Sequence, residues 1–491
     1  MFFNFIGKED NCLNLNVYTK EMPKDSDPPK PVMVFIHGGG FIQGSNSKEF
    51  YNPSYLMTQN VIQVIINYRL GILGFLCLED DSLGVMGNAG LKDQVMALKW
   101  VKENISSFGG DPNNVTIYGE SAGSASVHYH LLSPASKGLF HKAILQSGCA
   151  LNPWASGQRG TASLTKYLDI KDTEDKKILE KLQKMCLKKI VSAQMRVPEF
   201  FQGSVQRPYG PVIEHPSDEA FLVESPLKIL KDGTYNQVPV IVGLNSNEGM
   251  LFEFVRVLHK IKGPIDCEME VPFDMGLAPK TEVTSLIGEK IRKFYKLDEG
   301  SDEDKLDAVH KLKADLQFVH GVHRFVNLQL LTNENPMYYY IFSFEGELNY
   351  FKKLATSKST IPFFFMHYLM NKTGMKGVFR KLGNSFGFRN IPGVCHADDL
   401  GYLFATFFTP SVSKNSREEV MIKRLVALWT NFAKFGNPTP PNDDNLSVSW
   451  TPAEKENLHF LNIADELKME SCPFKERNVF WDDIYKEYSK N

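Results

Sequence analysis

Val115-Thr-Ile-Tyr-Gly-Glu-Ser-Ala-Gly123 is an apolar run, Val115 to Tyr118, that breaks at a glycine and delivers Ser121 between Glu120 and Ala122 before a second glycine. A strand that ends in Gly-x-Ser-x-Gly and leads into a helix-compatible segment lifts its serine onto a sharp strand-to-helix turn. The flanking glycines have a steric reason, because such a turn brings neighbouring backbone so close that side chains would clash. Working outward, further apolar runs bounded by turn residues lie at Val32 to Ile36, Val61 to Ile66, Lys142 to Gln146, Val238 to Val242 and Tyr338 to Phe344. Continuous apolar runs of this length read as parallel strands buried on both faces. Between them lie helical patterns such as Leu91 to Glu103, with Leu91, Val95, Leu98 and Val101 at three- and four-residue spacing. The alternation predicts an α/β fold whose central, mostly parallel sheet is covered by helices on both sides.

The 491 residues are 43% hydrophobic and 23% charged, enough apolar material for one large core and too much for disorder. From about Thr161 to Lys189 and again from about Pro264 to Arg324, Lys- and Asp-rich sequence with helical spacing reads as helical insertions above the sheet. The stretch Gly436 to Asn442 marks a turn before the C-terminal tail. There is no internal repeat or low-complexity tract, so residues 1–491 read as a single domain. A net charge of -2 without a long Lys/Arg run gives no electrostatic reason to expect nucleic acid, an anionic membrane surface, or a substrate chosen by charge. No stretch reaches the roughly 18 apolar residues of a membrane helix, and Met1 to Asp10 has no signal-peptide run. Cys12, Cys77, Cys149, Cys186, Cys267, Cys395 and Cys472 are odd in number, widely spaced and without a CxxC pair. They indicate neither a zinc site nor a dense disulfide frame, and they favour a reducing compartment. Sequons at Asn104, Asn114, Asn371 and Asn445 occur at near-chance frequency and carry no weight.

The chemistry-bearing residues follow from order along the chain. His37-Gly38-Gly39-Gly40-Phe41 comes directly after the run Val32 to Ile36, and bare backbone there can turn N–H groups into a cavity, as an oxyanion loop requires. Glu248 in Asn245-Ser-Asn-Glu-Gly249 lies just past the strand Val238 to Val242, where α/β sites are built. With nucleophile, acid and base taken in that order, the base must come from His259, His310, His320, His323, His367, His396 or His459. His310, His320 and His323 sit in helical, mixed-polarity sequence that suits a structural histidine. His396 stands out in the loop Ile391-Pro-Gly-Val-Cys-His-Ala-Asp-Asp-Leu400, where an imidazole can be held over a pocket.

Asn67-Tyr-Arg-Leu-Gly-Ile-Leu-Gly-Phe75, Gly87-Asn-Ala-Gly-Leu-Lys-Asp-Gln94, Phe108-Gly-Gly-Asp-Pro-Asn113, the Gly119 to Gly123 turn and Gly393-Val-Cys-His-Ala-Asp-Asp399 together resemble the type-B carboxylesterase/cholinesterase family of α/β-hydrolases. The resemblance runs from Cys12 over nearly the whole chain, and within the family it is greatest to insect α-esterase-type carboxylesterases rather than acetylcholinesterases or juvenile hormone esterases. It implies a serine hydrolase of small, uncharged, largely apolar esters, xenobiotic or lipid, acting through an acyl-enzyme. Ser121, Glu248 and His396 would be the catalytic triad, and Gly39, Gly40 and Ala122 the oxyanion-hole donors. By the same resemblance Trp154 and Phe252 match acyl-pocket positions, while Glu120 and Ser147 would support the triad from behind. Organophosphates or carbamates would be inhibitors, and no metal or organic cofactor is implied. The rival readings are a catalytically impaired, esterase-like binding protein and a ligand-sequestering protein that acylates once.

Family members carry about a hundred further residues ahead of the segment matching Asp10 to Tyr18, and a core deprived of them would expose apolar faces and strand edges. The expectation is therefore of an N-terminally truncated chain with reduced stability, in which Cys12 lacks the partner that many members provide. A cytoplasmic or intracellular membrane-associated location is expected, with secretion left open by that amino terminus.

Overall fold

The computed structural model describes residues 11–24, 26–194, 206–253, 265–356, 391–406, 409–441 and 446–490. His259, His367, Asn371 and Asn445 lie outside the described residues. Among the described residues nine strands form one sheet: β1 (Leu15–Tyr18), β2 (Lys30–Ile36), β3 (Ile62–Ile66), β4 (Gly110–Glu120), β5 (Lys142–Gln146), β6 (Val240–Asn245), β7 (Met337–Phe342), β8 (His459–Ile463) and β9 (Leu467–Ser471). Their order is β1-β3-β2-β4-β5-β6-β7-β8-β9. The pairings from β3 through β8 are parallel, while β1 on β3 and β9 on β8 are antiparallel and close the two edges.

Why both faces are buried is visible in the period-two alternation of the strands. Val32, Val34 and Ile36 of β2 join one apolar core with Val115 and Ile117 of β4, whereas Met33, Phe35 and Tyr118 join the other. In β7, Met337, Tyr339 and Ile341 face the first core, and Tyr338, Tyr340 and Phe342 face the second. The first core is capped by the helices Ala89–Asn104 and Ala122–Leu132 through residues such as Leu91, Leu98 and Ala125. The second is capped by the helix Arg417–Phe435 through Leu425, Trp429 and Phe432, and that helix ends at Gly436, whose φ of 70° suits a C-terminal cap.

The six expected strands are all present, with shifted ends. The run Val238 to Val242 enters the sheet only at Val240, because Pro239 has no N–H to donate to a ladder. β4 is longer than its apolar part and begins at Gly110. β1, β8 and β9 were not expected: they are short strands of mixed polarity at or next to the sheet edges, where a partly exposed ladder does not demand an apolar run. The first insertion folds into the helices Ala162–Leu168, Asp175–Gln183 and Leu187–Gln194. The second gives Glu282–Tyr295 and Asp302–Ala314, a π-helical turn at Asp315–Val319, and the helix His320–Thr332.

Candidate active site

Ser121 stands between β4 and the helix Ala122–Leu132 with φ 58° and ψ -120°, a conformation that non-glycine residues rarely adopt. The turn is wedged against the end of β2. A Cβ on Gly123 would lie 2.0 Å from the Ile36 carbonyl oxygen, and one on Gly119 would lie 2.6 Å from it. Both glycines are thus needed for close approach rather than for a positive φ. Ser121 N–H donates to the Gln146 carbonyl at 2.8 Å, which ties the turn to β5.

Immediately past β2, the chain turns through Gly39 (φ 110°), Gly40 (φ 63°) and Phe41 (φ 63°). A Cβ on Gly38 would lie 2.7 Å from Glu120 Oε2 and 3.2 Å from Ser121 Cβ, so this loop lies directly against the serine turn. Among the described residues the N–H groups of Gly39 and Gly40 have no acceptor. Ala122 is the first residue of its helix, and its N–H has no carbonyl one turn back to receive it. Backbone donors left open beside a serine, one of them at the positive end of a helix, can bind an oxygen that gains negative charge.

Glu248 and His396 meet across the carboxyl end of the sheet. Glu248 is fully buried just beyond β6, and its Oε2 accepts from His396 Nδ1 at 2.6 Å. Its Oε1 accepts from Ser147 Oγ at 2.5 Å and from Asn245 N–H at 2.6 Å. With Nδ1 donating to the carboxylate, Nε2 of a neutral imidazole is an acceptor. The loop carrying His396 is docked by Asn245 Nδ2 on the Cys395 carbonyl at 2.9 Å, by Asn247 N–H on the Val394 carbonyl at 2.9 Å, and by Val394 N–H on Ser246 Oγ at 2.9 Å.

The structure does not join Ser121 to His396 by a hydrogen bond. His396 Nε2 lies instead 2.9 Å from Glu120 Oε1, an ionic contact out of line for a hydrogen bond. Burial disfavours a charged imidazole there, but Glu120 and Glu248 at its two nitrogens outweigh burial and hold its pKa above the ordinary value of 6.5. Glu120 is itself pushed up, by burial first, with His396 opposing.

Two aromatic rings wall the space next to this cluster. Trp154 is buried, donates from Nε1 to the Gln317 carbonyl at 2.6 Å, and its ring lies 5.8 Å from Phe318. Phe318 in turn lies 4.4 Å from the His396 ring. Phe318 was missed in the sequence. It sits on the π-helical turn, an irregularity frequent at functional sites but invisible to a search for helical spacing. Phe252 is partly buried and packs beneath Lys313, whose Nζ lies 5.4 Å from its ring and bonds Glu270 at 2.6 Å. His320 and His323 both contact Asp482 of the helix Lys475–Tyr488 at 3.1 Å, and His310 lies 3.6 Å from Glu253, so these histidines tie the helical insertion to its neighbours.

The Carboxylesterase family profile matches residues 2–481. The chain belongs to the carboxylesterase family. Juvenile hormone esterase of Tribolium castaneum is 34% identical over 94% of this chain and 75% of its own length. Esterase B1 of Culex pipiens is 30% identical over 98% and 84%. The crystal structure of juvenile hormone esterase from Manduca sexta, with OTFP covalently attached, superposes with a TM-score of 0.77 at 28% identity, covering 97% of this chain and 84% of that one. The insect esterases that the chain resembles therefore include juvenile hormone esterases, which the reading of the sequence sets apart. As a carboxylesterase, the chain is an α/β-hydrolase and a serine hydrolase of carboxylic esters. Among the described residues no helix is long and apolar enough to cross a membrane.

Proposed function

We propose that this carboxylesterase cleaves small, largely apolar esters through an acyl-enzyme on Ser121. The observation that carries the reading is the buried Glu248–His396 contact at 2.6 Å, set at the strand ends beside the serine turn. As substrate enters, Nε2 passes from Glu120 to Ser121 Oγ, since catalytic hydrogen bonds commonly tighten only once substrate is bound. His396 takes the hydroxyl proton as Oγ attacks the carbonyl carbon, and Glu248 keeps the imidazole in the required tautomer and stabilises the imidazolium. The N–H groups of Gly39, Gly40 and Ala122 receive the tetrahedral oxyanion. His396 then gives its proton to the departing alcohol, and a water activated by the same imidazole releases the acid. Ser147 holds the far oxygen of Glu248, and Trp154 with Phe318 forms the apolar wall. Phe252 belongs to the same wall in this reading, through the match of its position to the family's acyl pocket. Seven unpaired thiols fit a reducing compartment.

Ser121→Ala should abolish turnover of a naphthyl ester, and an organophosphate or carbamate should add its mass to the peptide that contains Ser121. An adduct on another residue, or an active Ser121→Ala protein, removes the assignment. Stoichiometric product release without steady turnover would make the chain a sequestering protein instead.

A further inference from the structure

Where the glycine loop meets the tryptophan wall there is a cation that neither the proposed chemistry nor the packing uses up. Arg207 Nη1 donates to the Gly40 carbonyl at 2.8 Å, and the Arg207 Cζ lies 5.8 Å from the Trp154 ring centroid. A Cβ on Gly40 would come within 3.0 Å of Nη1, so the guanidinium borders the backbone proposed to hold the oxyanion. Its Nε is sealed from solvent and has no hydrogen-bond partner. A guanidinium has five N–H donors in a planar fork, and a single carbonyl with an aromatic face leaves most of them unused and the charge uncompensated.

Other partly buried arginines of this chain are treated differently. Arg159 lies 2.7 Å from Asp81, Arg324 lies 2.9 Å from Asp274, and Arg477 lies 3.2 Å from Asp315. Among the described residues no carboxylate forms an ion pair with Arg207. Burial lowers its pKa to about 10, so it stays charged at neutral pH. A partly buried charge with a sealed, unpartnered donor is costly, and an ion or ligand group from outside the fold is one way to satisfy it.

We infer that Arg207 is an anion subsite beside the oxyanion loop, which receives a carboxylate at the far end of the acyl arm, so that half-esters of short dicarboxylic acids are preferred over neutral esters of the same shape. The inference rests on the ester-hydrolase site proposed above and on Trp154 marking its acyl side. A carboxylate fits the guanidinium fork with two parallel charge-assisted hydrogen bonds, worth roughly ten- to a hundredfold in kcat/KM. The chain's net charge gave no hint of this, since selection by charge here depends on one residue.

The test compares benzyl hemisuccinate, benzyl isocaproate and para-carboxybenzyl isocaproate as substrates of the purified full chain. In the unaltered protein the hemisuccinate should be the best of the three. Arg207→Met should lower the hemisuccinate to isocaproate ratio of kcat/KM by ten- to a hundredfold, and Arg207→Lys should keep part of the preference. Glutarate should competitively inhibit isocaproate hydrolysis by the unaltered protein, a measurement that stands even if a variant fails to fold. An unchanged ratio in Arg207→Met, a parallel loss on all three esters, a loss confined to the carboxybenzyl ester, or no inhibition by glutarate each overturns the subsite. Failure of the unaltered protein to cleave any of the esters would instead remove the ester-hydrolase reading beneath it.

Discussion

His396 has a carboxylate at each ring nitrogen, Glu248 at 2.6 Å and Glu120 at 2.9 Å, and this decides how the site should titrate. In the proposed mechanism His396 is the base and works only when deprotonated, so activity should be lost as pH falls through its pKa. Both carboxylates favour the protonated ring and raise that pKa above 6.5, which moves the loss to higher pH than a free imidazole would show. Glu120→Gln removes one of the two charges. The acid limb of kcat/KM should then shift down by about one pH unit or more, and an unmoved limb would mean that Glu120 does not act on the base. Ser147→Ala addresses the other side of the ring, because it takes one of three donors from a fully buried carboxylate. Losing such a bond costs about 1 to 3 kcal/mol, measurable as a lower urea midpoint at unchanged slope together with a fall in kcat. Gly40→Asp should reduce kcat on the order of a hundred- to a thousandfold while KM moves less, since its carboxylate would repel the developing oxyanion.

At the level of elements the site depends on one close contact, the serine turn pressed onto the end of β2. Gly123→Ala would set a methyl group 2.0 Å from the Ile36 carbonyl, within the backbone of a central parallel strand that has no room to retreat. The expected outcome is a loss of about 2 to 4 kcal/mol by chemical denaturation, with ester turnover falling further than stability because the shift displaces Ser121 itself. Normal stability in this variant would show that the turn is looser than the geometry indicates. The same contact explains what could be read in advance. Val32 to Ile36 and Val115 to Gly123 are legible because a strand buried on both faces must be apolar, and a turn under backbone compression must be glycine. β1 and β9 at the sheet edges, and β8 next to β9, obey no such demand. Phe318 and Arg207 approach the site from the insertion and from the segment after residue 205, and their positions depend on tertiary packing that no local spacing encodes. The contact of His396 Nε2 with Glu120 rather than Ser121 was equally out of reach, since adjacent residues of one turn compete for the same nitrogen.

The molecule as a whole is held by burial on two sides of one sheet, without covalent cross-links. All seven cysteines are unpaired: Cys12 and Cys186 are exposed, Cys472 is partly covered, and Cys77, Cys149, Cys267 and Cys395 are buried. The buried thiols behave as small apolar groups, and burial pushes Cys149 up to about 12, Cys77 to about 11 and Cys267 to about 11. A thiol kept protonated and out of solvent reacts neither with a disulfide reagent nor with oxygen until the chain opens. Stability then comes from the two apolar cores, where each fully buried Leu, Ile, Val or Phe contributes roughly 1.5 to 3 kcal/mol against the chain entropy. A native disulfide would add about 2 to 5 kcal/mol and make the melting temperature respond to reductant by several degrees. The expected result is no such response: thermal melts with and without dithiothreitol should coincide. Thiol titration checks the same point by counting. The native protein should react rapidly at Cys12 and Cys186 and more slowly at Cys472, whereas the chain unfolded in guanidinium should yield all seven. The four buried thiols should appear at the rate of global unfolding, so that mass analysis of the labelled peptides reads core opening directly. A chain that yields fewer than seven thiols when unfolded without reductant, or that melts lower with it, would contain a cross-link and contradict the arrangement described.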